Sequence, residues 1–410
     1  MSSANLDSAA LKGALSTPGL IREDVMNKIW DISKIPLPLT DLIGNETSKQ
    51  EYKEWTIDKL APPNAANAVL DGSDASGNDT KVGIRVGNHH QISTKVVRVS
   101  FRADKSDVIG RAKESAYQLS RRQQELRRDV ETIAMVNQAS VQDTGSGGVA
   151  GKIGGLPSWL ATNQIGGSGS AAGGFNLSTK LTVARTVGAQ AAVTETRIRD
   201  GAQAAYSQGG EVSILMSTPA VIRKISEYLM SATASGARVA QTYNVIDDAK
   251  KQQTASGSIN VFVSDFGTLR FVPNRLQPSH ADSVAAVAAT TLAVGQWYII
   301  ASKGTTTDAQ WIAAGDKPFN GVANAGDVFQ ATTTGVAGGN GTVQLACADI
   351  FLLDPEYMAL SYLQGYRSEE LAKTGLAMNW QMSVDWALQV NNEAAHAMIG
   401  DVNQSAAMTF

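Results

Sequence analysis

"GRAKESAYQLSRRQQELRRDVETIAMVNQ", residues 110–138, decides how the rest of the chain is read. Apolar or small residues recur at Ile109, Ala112, Ala116, Leu119, Leu126, Val130 and Ile133, with Gln123 as the polar interruption. Such spacing predicts one helix across residues 103–140, opened by Ser106 as N-cap and buried along one stripe. About thirty residues at ~1.5 Å per residue make a rod of roughly 45 Å. The same helix carries two arginine pairs, Arg121–Arg122 and Arg127–Arg128, interleaved with Glu125, Asp129 and Glu131. Three roles are open to them: a solvated face with local ion pairs, ion pairs to neighbouring subunits, or contacts with nucleic-acid phosphates. No aromatic residue is interleaved with the arginines, which disfavours stacking on single strands.

Upstream, residues 1–50 read as an extended arm with one short helix, "REDVMNKIWDI", whose Val25, Ile29 and Ile32 keep helical spacing. "EYKEWTIDKL" and "KVGIRVGN" follow as strands, the second placing Val82, Ile84 and Val86 on one face, with "DGSDASGND" as a polar tip between them. A third strand, "KVVRVSF", alternates with Val97, Val99 and Phe101 on one side. Neither the arm nor this two-stranded excursion has enough chain around it to bury itself.

Downstream, "DTGSGGVAGKIGGLPSWLATNQIGGSGSAAGG" reads as a flexible crossing around one apolar knot, Leu156 to Leu160. From Asn176 the pattern is α/β. It contains a helix near 186–207, the strand "EVSILMS", and a helix opened by Ser217, Thr218 and Pro219 with Val221, Ile222, Ile225, Tyr228 and Leu229 on its buried face. "SINVFVSDFGTLRFVPNR" is a hairpin, and "ADIFLLDPEYMALSYL" supplies a strand and the start of another helix. Residues 279–346 are rich in Ala, Thr and Gly and carry short β-like runs, which marks a small β-rich domain inserted in a loop, where closure entropy grows slowly with length.

The totals bound the function. At 410 residues the chain exceeds one compact core, so two or three units are expected. A net charge of -3 excludes a basic footprint over the whole protein. One cysteine, Cys347, excludes internal disulfides and cysteine metal clusters. The start "MSSANLDSAALKGALSTPGLI" lacks a basic lead and apolar run, so no secretory leader is expected. The uncharged run from Ser283, "SVAAVAATTLAVGQWYIIAS", is too rich in Ala, Thr and Gly to favour a membrane span.

Enzyme signatures fail on context. "GGSGS" at Gly166 ends in Ser170 where a nucleophile elbow needs glycine, "GSGSAA" at Gly167 lacks its framing strand and helix, and "DFG" at Asp265 reads as a turn between two strands. His89 and His90 are adjacent and point to opposite faces of a strand, while His280 and His396 stand alone in the sequence. No catalytic residue, metal site or cofactor is expected.

The order of parts is similar to that of major capsid proteins of tailed bacteriophages. The wording carries it: "GLIREDVMNKIWDIS", "EYKEWTIDKLA", "AYQLSRRQQELRRDVETIAMVNQAS" followed by "GKIGGLPSWLATN", "FVPNRLQP", and "FLLDPEYMALSYLQGYRSEELAKTG". The resemblance implies an α+β Hong Kong 97-type fold with an N-terminal arm (1–50), an E-loop hairpin (51–102), a spine helix of the peripheral domain (103–140), a peripheral and axial α/β core (141–278 and 347–410), and the β-rich insert (279–346), where relatives pass quickly to the next strand. It further implies a virion shell protein, assembled in the host cytoplasm. Its partners would be itself in hexamers and pentamers, portal and scaffolding or decoration proteins, and packaged double-stranded DNA held without sequence specificity. Arg121, Arg122, Arg127 and Arg128 would then face neighbours or the genome. Some members of the fold cross-link subunits through Lys and Asn; Lys59 and Lys81 lie on the expected E-loop as assembly contacts, but no motif carries that chemistry to them. Two other readings share parts of this pattern: an encapsulin-type nanocompartment shell, and a glycan or cell-surface binding module built on the insert.

Overall fold

The structure, a computed structural model, describes residues 36–408 apart from 73, 75–79, 81, 146, 231–244, 248–251, 255–259, 319, 337 and 374. The arm helix "REDVMNKIWDI" and Lys81 therefore lie outside the described residues. By compactness the chain divides into a small unit, Met1–Ile35, Lys95–Glu125 and Ser368–Met382, and a large one, Pro36–Thr94, Leu126–Arg367 and Ser383–Phe410.

The large unit is organised by strand Thr342–Leu353, buried almost continuously from Ala346 onward. A strand covered on both faces reads as an unbroken apolar run, which "LACADIFLL" is but for one aspartate. Its first residues pair antiparallel with Trp297–Ser302, with Tyr298 opposite Leu345 and Ile300 opposite Val343. Its last residues pair with Ala397–Asn403, Phe351 opposite Met398, and with Ile214–Ser217, Leu352 opposite Leu215. Hairpin Val261–Ser264 and Gly267–Pro273 extends the sheet in parallel to Ile214–Ser217, turning at Asp265–Phe266 as the sequence implies.

Two apolar cores flank this strand. Helices Glu195–Gln208 and Pro219–Met230 lay Ile198, Ala202, Ala205, Val221 and Ile225 on Leu215, Leu269, Ile350, Leu352 and Ile399. Inside the insert a separate core gathers Tyr298, Ile300, Trp311, Phe329 and Val343, with Trp311 edge-on to Phe329 at 5.9 Å. The uncharged run from Ser283 is divided between strands Val287–Ala288 and Trp297–Ser302, and no helix among the described residues is long and apolar enough to cross a membrane.

Four expectations are corrected. The long helix spans Glu114–Met135, 22 residues, or about 33 Å. Ahead of it, Phe101–Lys105 is a separate short helix whose N-cap is Ser100, accepting from the Ala103 N–H at 3.2 Å, while Ser106 sits at its C-terminal end. Gly110 at φ +78° then turns the chain, and Asp104 accepts from the Ser115 N–H at 3.0 Å to open the long helix. The helix expected from 186 begins at Glu195, because Thr194 caps it and the preceding residues bridge Thr186 to Ala171 and Ala191 to Val402.

After Leu353 the chain makes one 3-10 turn, Pro355–Tyr357, and continues as strand Met358–Glu370 instead of a helix. Its neighbours in the sheet, the remote Gly44–Thr47 and the next strand Ala377–Val390, supply ladder partners on both sides, and this pairing overrides the helix propensity of Met, Ala, Leu and Glu.

The glycine-rich crossing, finally, is tightly packed. Ile153, Leu156, Trp159 and Leu160 are fully buried. A Cβ on Gly155 would lie 1.9 Å from the Val136 carbonyl oxygen, and one on Gly167 equally close to that of Ala189. These glycines are what lets two backbones touch.

Candidate assembly surfaces and a buried arginine cluster

The helix Glu114–Met135 does not present its arginines as one face. At about 100° per residue, Arg121, Arg122, Arg127 and Arg128 fall near 0°, 100°, 240° and 340° around the axis. Arg121 lies over the Tyr117 ring, 5.8 Å from its centroid, and Arg122 pairs with Glu125 one turn on. Arg127 lies over the Tyr366 ring at 5.4 Å. Arg128 makes no ion pair among the described residues. Of the expected apolar stripe only Leu126 and Val130 are fully buried; Leu119 and Ile133 are half-buried and Ile109, Ala112 and Ala116 are exposed, while Ala134 and Met135, outside that stripe, are buried at the C-terminal end.

Glu131, one of the acids interleaved with the arginines, is fully buried. Its carboxylate accepts from the Leu39 and Thr40 N–H groups at 2.7 and 2.9 Å and from Asn274 Nδ2 at 2.7 Å. It thereby satisfies the orphan amides that open helix Pro38–Leu42, anchoring the chain just past residue 35 to the long helix. Burial pushes its pKa up, against the pull of those donors.

Among the described residues, the excursion is paired as a hairpin at its base. Tyr52–Ile57 pairs antiparallel with Ile84–His89, Tyr52 opposite His89 and Ile57 opposite Ile84. Trp55 packs on Trp159 at 5.4 Å, and Tyr52 Oη donates to the Lys180 carbonyl at 3.1 Å; burial, then the charge of Glu54, pushes the Tyr52 pKa up to about 12. Of the expected apolar face, Val86 is buried while Ile84 and Val82 face solvent. Beyond the paired strands Leu60, Val69 and Leu70 are exposed as well. Lys59 is exposed and donates to the Gln208 side chain of its own chain.

Sequence reasoning missed a charged cluster under the large sheet. Arg185, with no exposed side-chain surface, reaches Asp401 Oδ1 at 2.9 Å, Asp349 Oδ1 at 2.8 Å and His280 Nε2 at 3.1 Å. His280 does not stand alone in space, being also 3.2 Å from Asp401 Oδ1. Asp401 holds φ +60°, a left-handed conformation, and its Oδ2 accepts from the Gly167 and Gly188 N–H groups at 3.0 and 3.1 Å. Burial alone pushes the Asp401 carboxyl up, but hydrogen bonds from His280 and Gly167 and the Arg185 charge outweigh it and hold the group well below the usual carboxylate range.

His280, Asp349 and Asp401 form a set of metal-ligand type. The guanidinium already fills the space between the two carboxylates and supplies the positive charge a metal would bring, so the cluster is an ion-pair network. The lone aspartate in the apolar run "LACADIFLL" is the sequence signal that marks it.

Comparison with known proteins places the chain. A family model described as SU10 major capsid protein matches residues 6–310 and 344–403, its interruption lying inside the β-rich insert. The major capsid protein of Escherichia phage Phieco32 is 35% identical over 113 residues, which are 28% of this chain and 32% of that protein. The alignment thus spans about a third of that relative. Among solved structures, the capsid of a native GTA particle aligns over 98% of this chain and 100% of its own, with a TM-score of 0.51 at 10% identity. The capsid of the empty GTA particle gives 0.50 at 12% identity, over 97% and 100%. At such identities the likeness is one of fold, and the fold is the α+β Hong Kong 97 type. With most of its length matched by that family model, the chain belongs to the SU10 major capsid protein family.

Proposed function

We propose that this chain associates with copies of itself as hexamers and pentamers that tile an icosahedral phage head around double-stranded DNA. The observation that carries the reading is surface left uncovered: the excursion beyond Ile57 exposes Leu60, Val69, Leu70 and Val82, and the first turns of helix Glu114–Met135 expose Ala116 on the stripe that should be buried. Exposed apolar groups on an extended segment mark an interaction surface, and a shell offers each subunit several such contacts whose modest energies multiply.

In this reading residues 1–50 are the arm, 51–102 the E-loop, 103–140 the spine region, 141–278 with 347–410 the peripheral and axial core, and 279–346 a surface protrusion. Arg128 is the arginine best placed to meet a neighbour or a phosphate, because the other three already have partners in their own chain. Lys59 engages Gln208, so it would have to leave that bond to act as an assembly contact. Portal, scaffolding and decoration proteins belong to the same reading as partners in the virion.

The test is expression of the full chain, alone and with its scaffold, followed by sedimentation and negative-stain microscopy. Closed shells or capsomer rings are the expected result. A discrete monomer in both conditions overturns the proposal.

A further inference from the structure

Helix Pro219–Met230 opens beside the loop that follows strand Gly267–Pro273, and across from them stand Ala293–Trp297 and Val328 of the insert. Between these walls is an open cleft of about 1000 Å³. Arg223, Lys224 and Arg275 line it, and no carboxylate does among the described residues. Glu227 pairs with both Arg223 at 2.8 Å and Lys224 at 3.1 Å, and its single charge leaves two surplus positive charges at the cleft, one shared by that pair and one on Arg275. The opposite wall is apolar, with Val294 exposed and Trp297 half-buried.

One lining group is incomplete. Gln277, 7% exposed, donates its amide N–H to the Asp349 carbonyl at 2.7 Å, while its Oε1 is buried without a hydrogen-bond partner. A buried acceptor of this kind calls for a donor. The occupant must therefore bring negative charge, apolar side chains and an N–H group.

The chain itself contains such a segment. From Ala61 to Thr80 its charged residues are Asp71, Asp74 and Asp79, with no lysine or arginine. Val69 and Leu70, immediately before, are each 83% exposed and have no cover in their own chain. Each non-proline residue of the segment also carries a backbone N–H.

We propose that Val69, Leu70, Asp71 and Asp74 of one copy occupy this cleft on an adjacent copy, the carboxylates toward Arg275 and Lys224 and the apolar side chains toward Val294 and Trp297. The inference rests on the self-assembly proposed above and specifies which surface meets which. It also gives the insert a task, since its wall completes a receptor for a neighbour's excursion.

The experiment uses introduced cysteines. Cys347 is buried and its thiol pKa is pushed up by burial, so it does not compete for oxidation. Full-length Leu70→Cys/Val294→Cys chains are assembled, oxidised and run without reductant. A ladder of disulfide-linked multimers, absent from either single variant, is the expected result. Shells that form normally but give no ladder overturn the docking while leaving self-assembly intact; a wild-type chain that never assembles overturns both.

If the double variant fails to assemble, charge exchange decides. Arg275→Glu should raise the protein concentration needed for assembly about tenfold through its repetition over many subunits, and Asp71→Arg in the same chain should restore it. Failure of that rescue counts against the docking. So does an Arg275→Glu shell that forms at the usual concentration but holds less DNA, which would make the cleft a phosphate site.

Discussion

Arg185 Nη1 lies 2.9 Å from Asp401 Oδ1, and neither side chain has any exposed surface. Removing the cation alone leaves two carboxylates facing each other in a low-dielectric site. Arg185→Met is therefore expected to destabilise the chain by about 3–5 kcal/mol, read as a shift in the urea midpoint at pH 7. Adding Asp349→Asn and Asp401→Asn to Arg185→Met removes both negative charges while keeping an acceptor for the Gly167 and Gly188 N–H groups, so it should recover part of that loss, and a larger loss would contradict the assignment of an ion-pair network.

His396 gives the fold a sensitivity to acid. Burial lowers its pKa from 6.5 to about 4, and its Nδ1 accepts from the Asp354 N–H at 3.1 Å, a bond that protonation of that nitrogen removes. The unfolded chain binds the proton more readily, so the contribution is fully present above about pH 6.5 and is lost as pH falls toward 4. A loss of about 3 kcal/mol between pH 7 and 4 is expected from this group. His396→Asn, which keeps an acceptor but cannot charge, should flatten that part of the stability-versus-pH curve.

Gly155 tests the packed crossing. Its φ of -72° suits alanine, so only the 1.9 Å approach to the Val136 oxygen opposes a side chain. Gly155→Ala should destabilise by about 3 kcal/mol or lose soluble protein altogether. Gly365→Ala, where a Cβ meets nothing within 4 Å, should change the denaturation midpoint little.

The insert should be removable if the cut respects the sheet. Ala281 pairs with Ala346 and His280 with Cys347 across an antiparallel ladder, so the chain leaves and returns side by side. Deleting residues 283–344 and closing with a short glycine turn keeps both pairs and the Arg185 cluster, and the body should fold with a cooperative denaturation transition. Cutting at 279 and 346 instead removes His280, and a clearly lower midpoint is expected for that version.

What could be read from the sequence divides along physical lines. The hairpin turning at Asp265–Phe266 and the C-terminal half of the long helix were legible because period and turn chemistry are local, whereas strand Thr342–Leu353 was read as two pieces, "GTVQLA" in the insert and "ADIFLL" in the body, and is continuous across that boundary. The start of that helix was not, since Ser106 suits an N-cap and only the φ of Gly110 shows that the chain turns first. Strand Met358–Glu370 was misread because its first residues find their ladder partner in Gly44–Thr47, more than three hundred positions back in the chain, which no local pattern shows. The same holds for the cluster: Arg185 is 95, 164 and 216 positions from His280, Asp349 and Asp401. Of the residues singled out for assembly, local pattern found the arginines but not their neighbours Tyr117 and Tyr366, which decide how free each one is.

Strand Thr342–Leu353 runs unbroken from the core of the insert into the core of the body. Anything that tugs on the insert along that strand loads its ladder bonds together, in shear, so they share the force and cannot be opened one at a time. The insert is thus a cantilever built into its beam, and a pull on its tip is felt at Leu352, against the helices of the body.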